Sequence, residues 1–302
     1  MGVNFQTSYR NCGDMRMKKI AVVILNYCND QETKNCVESI QIQKGVFVEI
    51  IIVDNGSPNG SYERLAKEYR NVPGIYVLRV HKNYGFAKGN NIGIQYACHL
   101  DAEFVYLLNS DIVLQGETCI ADLLKEYQSG VGVIGARLIE RNGRERKSVY
   151  DYPFAPEKWW YFACLLFNSL NVPLLADYWM RKLEKGRRTE VLQGSNLMLT
   201  PDYLKKCGLL YPYTFLYCEE ALLFLQCRDK HLKQVKAKEA KVFHRGAQSS
   251  KFLYKDDVNR TIQNQYILRS QFHVLFYPMM KWFVRPLKMN LDRAEKWKSV
   301  RI

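Results

Sequence analysis

The fold is decided by the stretch Phe104-Val105-Tyr106-Leu107-Leu108-Asn109-Ser110-Asp111, in which five residues suited to a buried strand lead into a polar tripeptide. Because alternate side chains of a strand project to one face, Asn109 and Asp111 are predicted to point the same way. Hard oxygen ligands at the carboxyl edge of an open sheet suit a divalent cation and, through it, a diphosphate. For the tripeptide alone, an Asx turn after a strand is the common alternative.

Composition and charge narrow the class of protein. A chain of 302 residues with 47% apolar and 13% aromatic residues is typical of a globular protein with one large domain or two small ones. The net charge of +14 predicts anionic partners, namely nucleotide phosphates, anionic lipid headgroups or nucleic acid. No recognised nucleic-acid motif is found, so we expect no nucleic-acid partner.

The cysteines and the apolar segments indicate a cytoplasmic protein. None of the nine cysteines form a C-x-x-C pair, which favours buried thiols in a reducing compartment over disulfides or a zinc site. The first 19 residues lack an apolar core, so we expect no signal peptide. No run of 18 apolar residues occurs, so we expect no transmembrane helix.

Apolar runs and helical spacing alternate along residues 20–108 and become less regular afterwards. This alternation predicts an α/β fold with a mostly parallel sheet, right-handed crossovers and a ligand site at the carboxyl ends of the strands. We predict a loose tail at 1–17, a domain at 18–250, and a helical, basic and aromatic extension at 251–302. The predicted strands are Ile20–Leu25, Val46–Val53, Ile75–Val80, Phe104–Leu108, Val131–Ile139 and Val191–Thr200, and the predicted helices are 31–43, 61–70, about 85–99 and Glu219–Lys230.

Polar clusters follow three of the predicted strands: Asn26-Tyr27-Cys28-Asn29, Asp54-Asn55-Gly56-Ser57 and Asn109-Ser110-Asp111. Each cluster alone is an ordinary turn or helix cap. At successive strand ends, however, they predict one shared crevice. There the Asp54 carboxylate can accept a hydrogen bond from an N–H of a nucleotide base, Tyr27 can pack on the ring of that base, and Asp111 can lie near the phosphates.

Glycines recur every four residues in Asn83-Tyr84-Gly85-Phe86-Ala87-Lys88-Gly89-Asn90-Asn91-Ile92-Gly93. On a helix they share one face and allow close backbone packing, whereas in a loop they free N–H groups to meet phosphate. The stretch is neither G-x-G-x-x-G nor a P-loop, which disfavours dinucleotide binding and ATP hydrolysis.

Four motifs in order resemble the signature of the family-2 glycosyltransferases: Val23–Tyr27, Val53–Ser57, Asn83–Gly93 and Leu107–Asp111. The resemblance covers roughly residues 18–250 and is closest to the rhamnosyltransferase-like enzymes of bacterial polysaccharide synthesis. It implies a GT-A domain, with a Rossmann-like, mostly parallel mixed sheet flanked by helices. It also implies a nucleoside-diphosphate sugar donor, Mn²⁺ or Mg²⁺, and inversion at the anomeric carbon.

The same resemblance assigns roles to individual residues. Tyr27 and Asp54 hold the base, Asp111 is the metal-binding acid, and Asn109 stands where a second acid often lies. His244, after Val242-Phe243, matches the family's late histidine and is expected to bind the metal or touch the diphosphate; a structural histidine is the alternative. The expected donor-binding residues are Asn26, Tyr27, Asp54, Asn55, Asn83, Gly85, Phe86, Asn90 and Asn109.

The acceptor side is expected at Tyr217-Cys218-Glu219-Glu220-Ala221-Leu222, which resembles the family's aromatic-x-Glu-Asp motif. Glu220 replaces the usual Asp and, by position, is predicted to take the proton of the acceptor hydroxyl. Glu219 is expected to bind acceptor or to cap a helix, since acidic residues are favoured in a first helical turn. Gln193–Asn196 matches the acceptor-pocket lining, and a strand-entry turn is the alternative.

Two aromatic segments, 158–180 and the tail from Phe272 onwards, lie beside basic residues. With the positive charge, they predict a peripheral protein on the inner face of the plasma membrane, acting on a glycan or lipid-linked glycan acceptor. A helical lid on the domain, or a homodimer contact, is the alternative.

Two other functions stay open. A sugar nucleotidyltransferase needs a glycine-rich, basic loop after the first strand, and Asn26–Asn29 offers none. A non-catalytic protein that binds sugar nucleotide or polysaccharide is supported by Asn109 and Leu222, which stand where the family often has acids.

Overall fold

The computed structural model describes residues 18–146, 149–150, 189–245 and 257–280. The strands are β1 (Lys19–Asn26), β2 (Phe47–Asp54), β3 (Ile75–Arg79), β4 (Phe104–Asn109), β5 (Ile112–Leu114), β6 (Val131–Ile139), β7 (Val149–Tyr150), β8 (Thr189–Glu190), β9 (Asn196–Leu199) and β10 (Lys233–His244). The helices are α1 (Asp30–Gln41), α2 (Ser61–Tyr69), α3 (Phe86–His99), α4 (Cys119–Lys125), α5 (Pro201–Lys206), α6 (Glu219–Asp229) and α7 (Asp257–Met280).

One mixed sheet organises the described chain, in the order β3-β2-β1-β4-β9-β6-β10-β5. Strands β3, β2, β1 and β4 are parallel, as are β6 and β10. Strand β9 runs antiparallel between β4 and β6, and β5 runs antiparallel to β10. Because Asn26 pairs with Asp54, and Leu25 with Asn109, the carboxyl ends of β1, β2 and β4 meet at one edge, as predicted.

Helices cover both faces of the sheet. In β1, Ile20, Val22 and Ile24 pack with α1, α2 and α4, while Ala21 and Val23 pack with α3, α5 and α6. All five of these side chains are fully buried, which explains why β1 reads as an unbroken apolar run rather than an alternating one.

Helix α3 lies very close to β1 because two of its glycines face that strand. A Cβ atom at Gly89 would lie 2.5 Å from Leu25 Cδ1, and one at Gly93 would lie 2.2 Å from Val23 Cγ1. For these two glycines the helix-face interpretation of the four-residue repeat is therefore correct. Gly85 precedes the helix and has a positive φ of 82°.

Most predicted elements agree with the structure to within two residues at each end. The predicted strand Val191–Thr200 is wrong in its first half, because β9 spans only Asn196–Leu199 and the Asn196 N–H turns back to the Gln193 carbonyl. Six of the described elements had no predicted counterpart, namely β5, β7, β8, α4, α5 and most of β10.

Helix α7 packs on the domain. Tyr277 lies in a buried cluster with Tyr211, Leu222 and Leu225, which joins α7 to α6. Among the helices of the described residues, none combines the length and the apolarity that a membrane span requires. The predicted tail at 1–17, the aromatic segment 158–180 and the tail beyond residue 280 lie outside the described residues.

Candidate active site

The ends of β1 and β2 are joined by a buried hydrogen-bond network. Asn26 Nδ2 donates to Asp54 Oδ2 at 2.7 Å and to Ser61 Oγ at 2.8 Å, and its Oδ1 accepts from Thr33 Oγ1 at 3.0 Å. Asp54 Oδ1 accepts from the Ser57 N–H at 2.9 Å. Both carboxylate oxygens of the fully buried Asp54 are therefore engaged within the protein. That Asp54 binds the base of a nucleotide stays a prediction.

The end of β2 also holds the glycine-rich loop. Asn55 Nδ2 donates to Asn83 Oδ1 at 2.9 Å and to the Gly85 carbonyl at 3.1 Å, while Asn55 Oδ1 accepts from the Tyr84 N–H at 3.1 Å. Half-buried Tyr27 lies at the same edge of the sheet. Asn55 thus fixes the start of α3 relative to the crevice.

Backbone contacts tie this loop to the segment before the acidic pair. The Phe86 N–H donates to the Phe215 carbonyl at 2.8 Å. A Cβ atom at Gly85 would lie 2.2 Å from that carbonyl oxygen, so the approach requires glycine. Asn90 Nδ2 donates to the Phe86 carbonyl at 3.0 Å, and its buried Oδ1 finds no hydrogen-bond partner in the described part of the chain.

Asp111 and His244, the two predicted metal ligands, are brought together. Asp111 Oδ2 lies 3.1 Å from His244 Nε2, and both side chains are largely buried. The pairing of β5 with β10 and a hydrogen bond of 3.0 Å from the Arg245 N–H to the Asp111 carbonyl hold them there. Asn109, half-buried, precedes Asp111 at the end of β4.

A carboxylate oxygen and an imidazole nitrogen at this separation form a donor pair that suits Mn²⁺, and Mg²⁺ is often held by few protein ligands plus substrate phosphates. The residues present therefore fit such an ion. Across the described ranges, no group of three or more His, Cys, Asp or Glu side chains could hold a metal by themselves. The pair is thus suited to an ion whose other ligands come from substrate or water.

The acidic pair begins helix α6 after an unusual turn. Tyr217 and Cys218 both have positive φ, 75° and 60°, a conformation that non-glycine residues rarely adopt. Two such residues in succession directly before Glu219 and Glu220 are typical of a functional site, where the surrounding structure holds backbone strain. The turn fixes the direction in which both carboxylates leave the backbone.

The two carboxylates have different surroundings. Glu220 Oε1 accepts from the Gly194 N–H at 3.2 Å, whereas Glu219 Oε1 is buried without a hydrogen-bond partner among the described residues. Burial raises the pKa of Glu219, and the nearby charge of Glu220 raises it further. Burial also raises the pKa of Glu220, against the opposing effects of backbone hydrogen bonds and of Arg146. The pair therefore titrates as a unit and retains a proton more readily than free carboxyls.

One short segment links the acidic pair to the Asn109–Asp111 strand end. The Asn109 N–H donates to the Ser195 carbonyl at 3.0 Å, and the neighbouring Gly194 N–H contacts Glu220. The Gln193–Asn196 segment, predicted to line an acceptor pocket, therefore lies between the predicted base and the end of β4, two residues before Asp111. Two hydrogen bonds thus connect Glu220 to the end of β4.

Several contacts at the site were missed in the sequence. Asn91 exchanges two hydrogen bonds of 2.8 Å with the Leu210 backbone, and Gln263 on α7 donates to the Tyr217 hydroxyl at 2.8 Å. Arg245, beside His244, lies 3.4 Å from Glu32. The Asn91 contact had a local signal in the sequence, namely a second asparagine directly after Asn90. The contact between Tyr217 and Gln263 had none, because no local pattern connects two residues that far apart.

The chain was compared with known proteins. Residues 21–180 match the family model for glycosyl transferase family 2. Agl10, a low-salt glycan biosynthesis hexosyltransferase of Haloferax volcanii, is 26% identical over 216 residues, which make up 70% of this chain and 62% of Agl10. The chain thus spans less than two thirds of the length of that relative.

Two solved structures show the fold. GalNAc-T7 with UDP, GalNAc and Mn²⁺ is 14% identical with a TM-score of 0.54, over 81% of this chain and 49% of that one. The mannosyltransferase PcManGT of Pyrobaculum calidifontis, with GDP-Man and Mn²⁺, is 12% identical with a TM-score of 0.56. That match covers 95% of this chain and 71% of PcManGT. These likenesses and the mixed sheet confirm the predicted GT-A fold. Because the family model covers more than half of its length, the chain belongs to glycosyl transferase family 2.

Proposed function

We propose that the protein is an inverting glycosyltransferase that moves a sugar from a nucleoside-diphosphate sugar to a hydroxyl of a growing glycan. The observation that carries the proposal is the position of Glu220, held by the Gly194 N–H on a segment hydrogen-bonded to the end of β4. A basic carboxylate thus lies beside the strand end that offers Asp111. The relative is a hexosyltransferase, and both structural neighbours hold nucleotides with Mn²⁺.

The proposed step is a single in-line displacement. The Glu220 carboxylate accepts the proton of the acceptor hydroxyl while the hydroxyl oxygen forms a bond to the anomeric carbon. The bond from that carbon to the diphosphate oxygen breaks, and the nucleoside diphosphate leaves with the electron pair. Attack opposite the leaving group inverts the configuration. The raised pKa of Glu220 makes it a stronger base than an exposed carboxylate.

Asp111 and His244 are the residues that would hold Mn²⁺ or Mg²⁺ at the diphosphate. When bound, the cation supplies positive charge opposite the charge that develops on the leaving group. Asn109 contributes oxygen but no charge, so within the tripeptide only Asp111 is anionic. Tyr27, Asp54, Asn55 and the loop from Asn83 to Phe86 form the proposed donor side.

Donor binding tests the proposal. The melting temperature is measured with UDP-, GDP- and dTDP-sugars, each with and without Mn²⁺ or Mg²⁺. At least one donor should stabilise the protein, by about 2.7 kcal/mol at a hundredfold excess over its Kd. A preference for dTDP-rhamnose would support the proposed rhamnosyltransferase-like subgroup. If no nucleotide sugar changes the melting temperature, the proposed function is wrong.

For the acceptor and its location, we propose a lipid-linked glycan at the inner face of the plasma membrane, with 18–250 as the catalytic domain and 251–302 as its extension. The charge of +14 supports attraction to an anionic surface. Sedimentation with anionic vesicles, compared with neutral vesicles, tests this. Binding to neither, together with a dimer in solution, would favour the alternative that the extension is a subunit contact.

A non-catalytic binder of sugar nucleotides is the second candidate. It is favoured by Asn109 and Leu222, which stand at positions where acids are often found. The two candidates differ in what Glu220 must do, and substitution of that residue separates them.

A further inference from the structure

Helix α7 contacts the backbone and side chains of the turn that leads into the acidic pair. Gln263 Nε2 donates to the Tyr217 hydroxyl at 2.8 Å, and Ser270 Oγ donates to the Leu216 carbonyl at 2.8 Å. These bonds reach two consecutive residues of one turn from positions two helical turns apart on α7. Helix α7 therefore fixes this turn at two points.

Aromatic contacts extend the same attachment toward the start of the turn. The rings of Phe215 and Tyr266 stack with centroids 4.6 Å apart. The Tyr211 hydroxyl and His273 Nδ1 lie 2.8 Å apart, within hydrogen-bond distance. Residues 211–217, named here the 211–217 segment, are thus held along most of their length by one helix.

The opposite side of the 211–217 segment is held by the glycine-rich loop. The Phe215 carbonyl accepts from the Phe86 N–H at 2.8 Å, and Gly85 lies against the Phe215 backbone. The segment is therefore clamped between the start of α3 and helix α7. Neither contact involves the acidic pair itself.

The clamped turn is strained where it meets the acidic pair. Tyr217 and Cys218 each adopt a left-handed backbone, which is strained and persists only where neighbouring contacts hold it. The Gln263–Tyr217 hydrogen bond is such a contact, and it lies two residues from Glu219. Losing it would leave the turn with one contact fewer directly before Glu219 and Glu220.

We infer that Gln263 and Tyr217 are positioning residues for the acidic pair, so that helix α7 is a working part of the active site. This inference rests on the proposed function, in which Glu220 accepts the acceptor proton. It predicts that cutting the hydrogen bond lowers turnover without weakening donor binding, because the donor side is fixed by Asn55 and the loop of α3 instead.

Two substitutions cut the bond from opposite ends. Gln263→Ala removes the donor, and Tyr217→Phe removes the hydroxyl while keeping the ring. Gln265→Ala is the matched control, because Gln265 is exposed two residues further along α7. Turnover is measured as release of nucleoside diphosphate from the UDP-, GDP- or dTDP-sugar that raises the melting temperature most, with Mn²⁺ present.

We expect kcat to fall about fivefold to tenfold in either variant, the effect of one lost hydrogen bond on the barrier, with donor KM within about twofold. The double variant should lose no more than either single one, since both remove the same bond. Amide hydrogen exchange of residues 216–220 should be faster in both variants and unchanged in Gln265→Ala.

Unchanged kcat in both folded variants would overturn the inference, as would equal losses in Gln265→Ala or an effect on donor KM alone. If Gln263→Ala fails to fold, Tyr217→Phe decides. Hydrogen exchange needs no turnover, so unchanged exchange at residues 216–220 overturns the inference separately. By contrast, wild-type protein that neither binds nor cleaves any sugar nucleotide would overturn the proposed function itself.

Discussion

Asp111 Oδ2 and His244 Nε2 lie 3.1 Å apart, although the two residues are far apart in the sequence. The antiparallel pairing of β5 with β10 places Ile112 opposite His244 and so brings the preceding carboxylate to the imidazole. A short strand that the sequence did not predict is therefore what completes the candidate metal pair.

Asp111→Asn should remove the metal-dependent part of stabilisation by a sugar nucleotide. The substitution keeps the shape of the side chain but removes the anionic ligand that a divalent cation prefers. Melting temperatures with donor are compared with and without Mn²⁺, and the difference should fall to near zero. Asp122→Asn is the control, because Asp122 pairs with Lys125 on α4. Equal metal dependence in Asp111→Asn and wild type would exclude Asp111 as a ligand.

Glu220→Gln should lower transfer by about 10²- to 10⁴-fold, the usual contribution of general base catalysis. The amide still accepts from the Gly194 N–H but takes up no proton, so the donor-induced change in melting temperature should persist. Glu117→Gln, at an exposed ion pair with Lys44, is the control. A variant that transfers sugar as fast as wild type would mean that a different group is the base. Wild-type protein that binds a donor but transfers no sugar would favour the non-catalytic candidate.

Glu219→Gln should reduce the loss of stability as pH rises. Because burial and Glu220 raise the pKa of Glu219 in the folded state, the native protein keeps a proton that the unfolded chain has already released. Stability therefore falls as pH rises from the unfolded pKa, near 4.3, through the raised folded value. Urea unfolding from pH 5 to pH 9 should show a shallower decline in Glu219→Gln. Parallel curves for wild type and variant would contradict the raised pKa.

Gly85→Ala should destabilise the protein by about 1–3 kcal/mol more than Gly143→Ala. Both glycines have a positive φ, 82° and 75°, but Gly85 also has a ψ of −178°, a combination that is essentially restricted to glycine, so alanine adds backbone strain there as well. Only at Gly85 would the added Cβ meet the Phe215 carbonyl, whereas nothing lies within 4 Å at Gly143. The difference in free energy of unfolding in urea reports the clash together with the added backbone strain at Gly85. Equal losses would mean that the loop and the 211–217 segment separate readily.

The parts of the fold that the sequence predicted well are those with strong local patterns. Strand β1 is a continuous apolar run because both its faces are covered, and the polar residues Asn26 and Asp54, although buried, mark where β1 and β2 end. Strand β10 was largely missed because charged residues alternate with small ones in Lys233–Ala240, and its pairing with β6 is interrupted by irregularities.

The site was predicted in its residue types more than in its contacts. Asp111 lies beside His244, and Gly194 contacts Glu220, yet the saturation of the Asp54 carboxylate by Asn26 and the Ser57 N–H was not foreseen. Hydrogen-bond partners set by tertiary structure leave no mark at either position in the sequence. Their identity follows only once the strand ends are aligned.

The place of β9 in the sheet bears on how the protein is made. Among the described strands, β6 pairs only with β9 and β10, both of which follow it in the chain. A nascent chain synthesised only as far as residue 139 therefore presents β4 and β6 with open edges, the kind that recruit other chains. Both strands have their edges covered only once synthesis has passed residue 244. This protein should therefore depend on chaperones during translation more than a protein whose sheet forms strictly in sequence order.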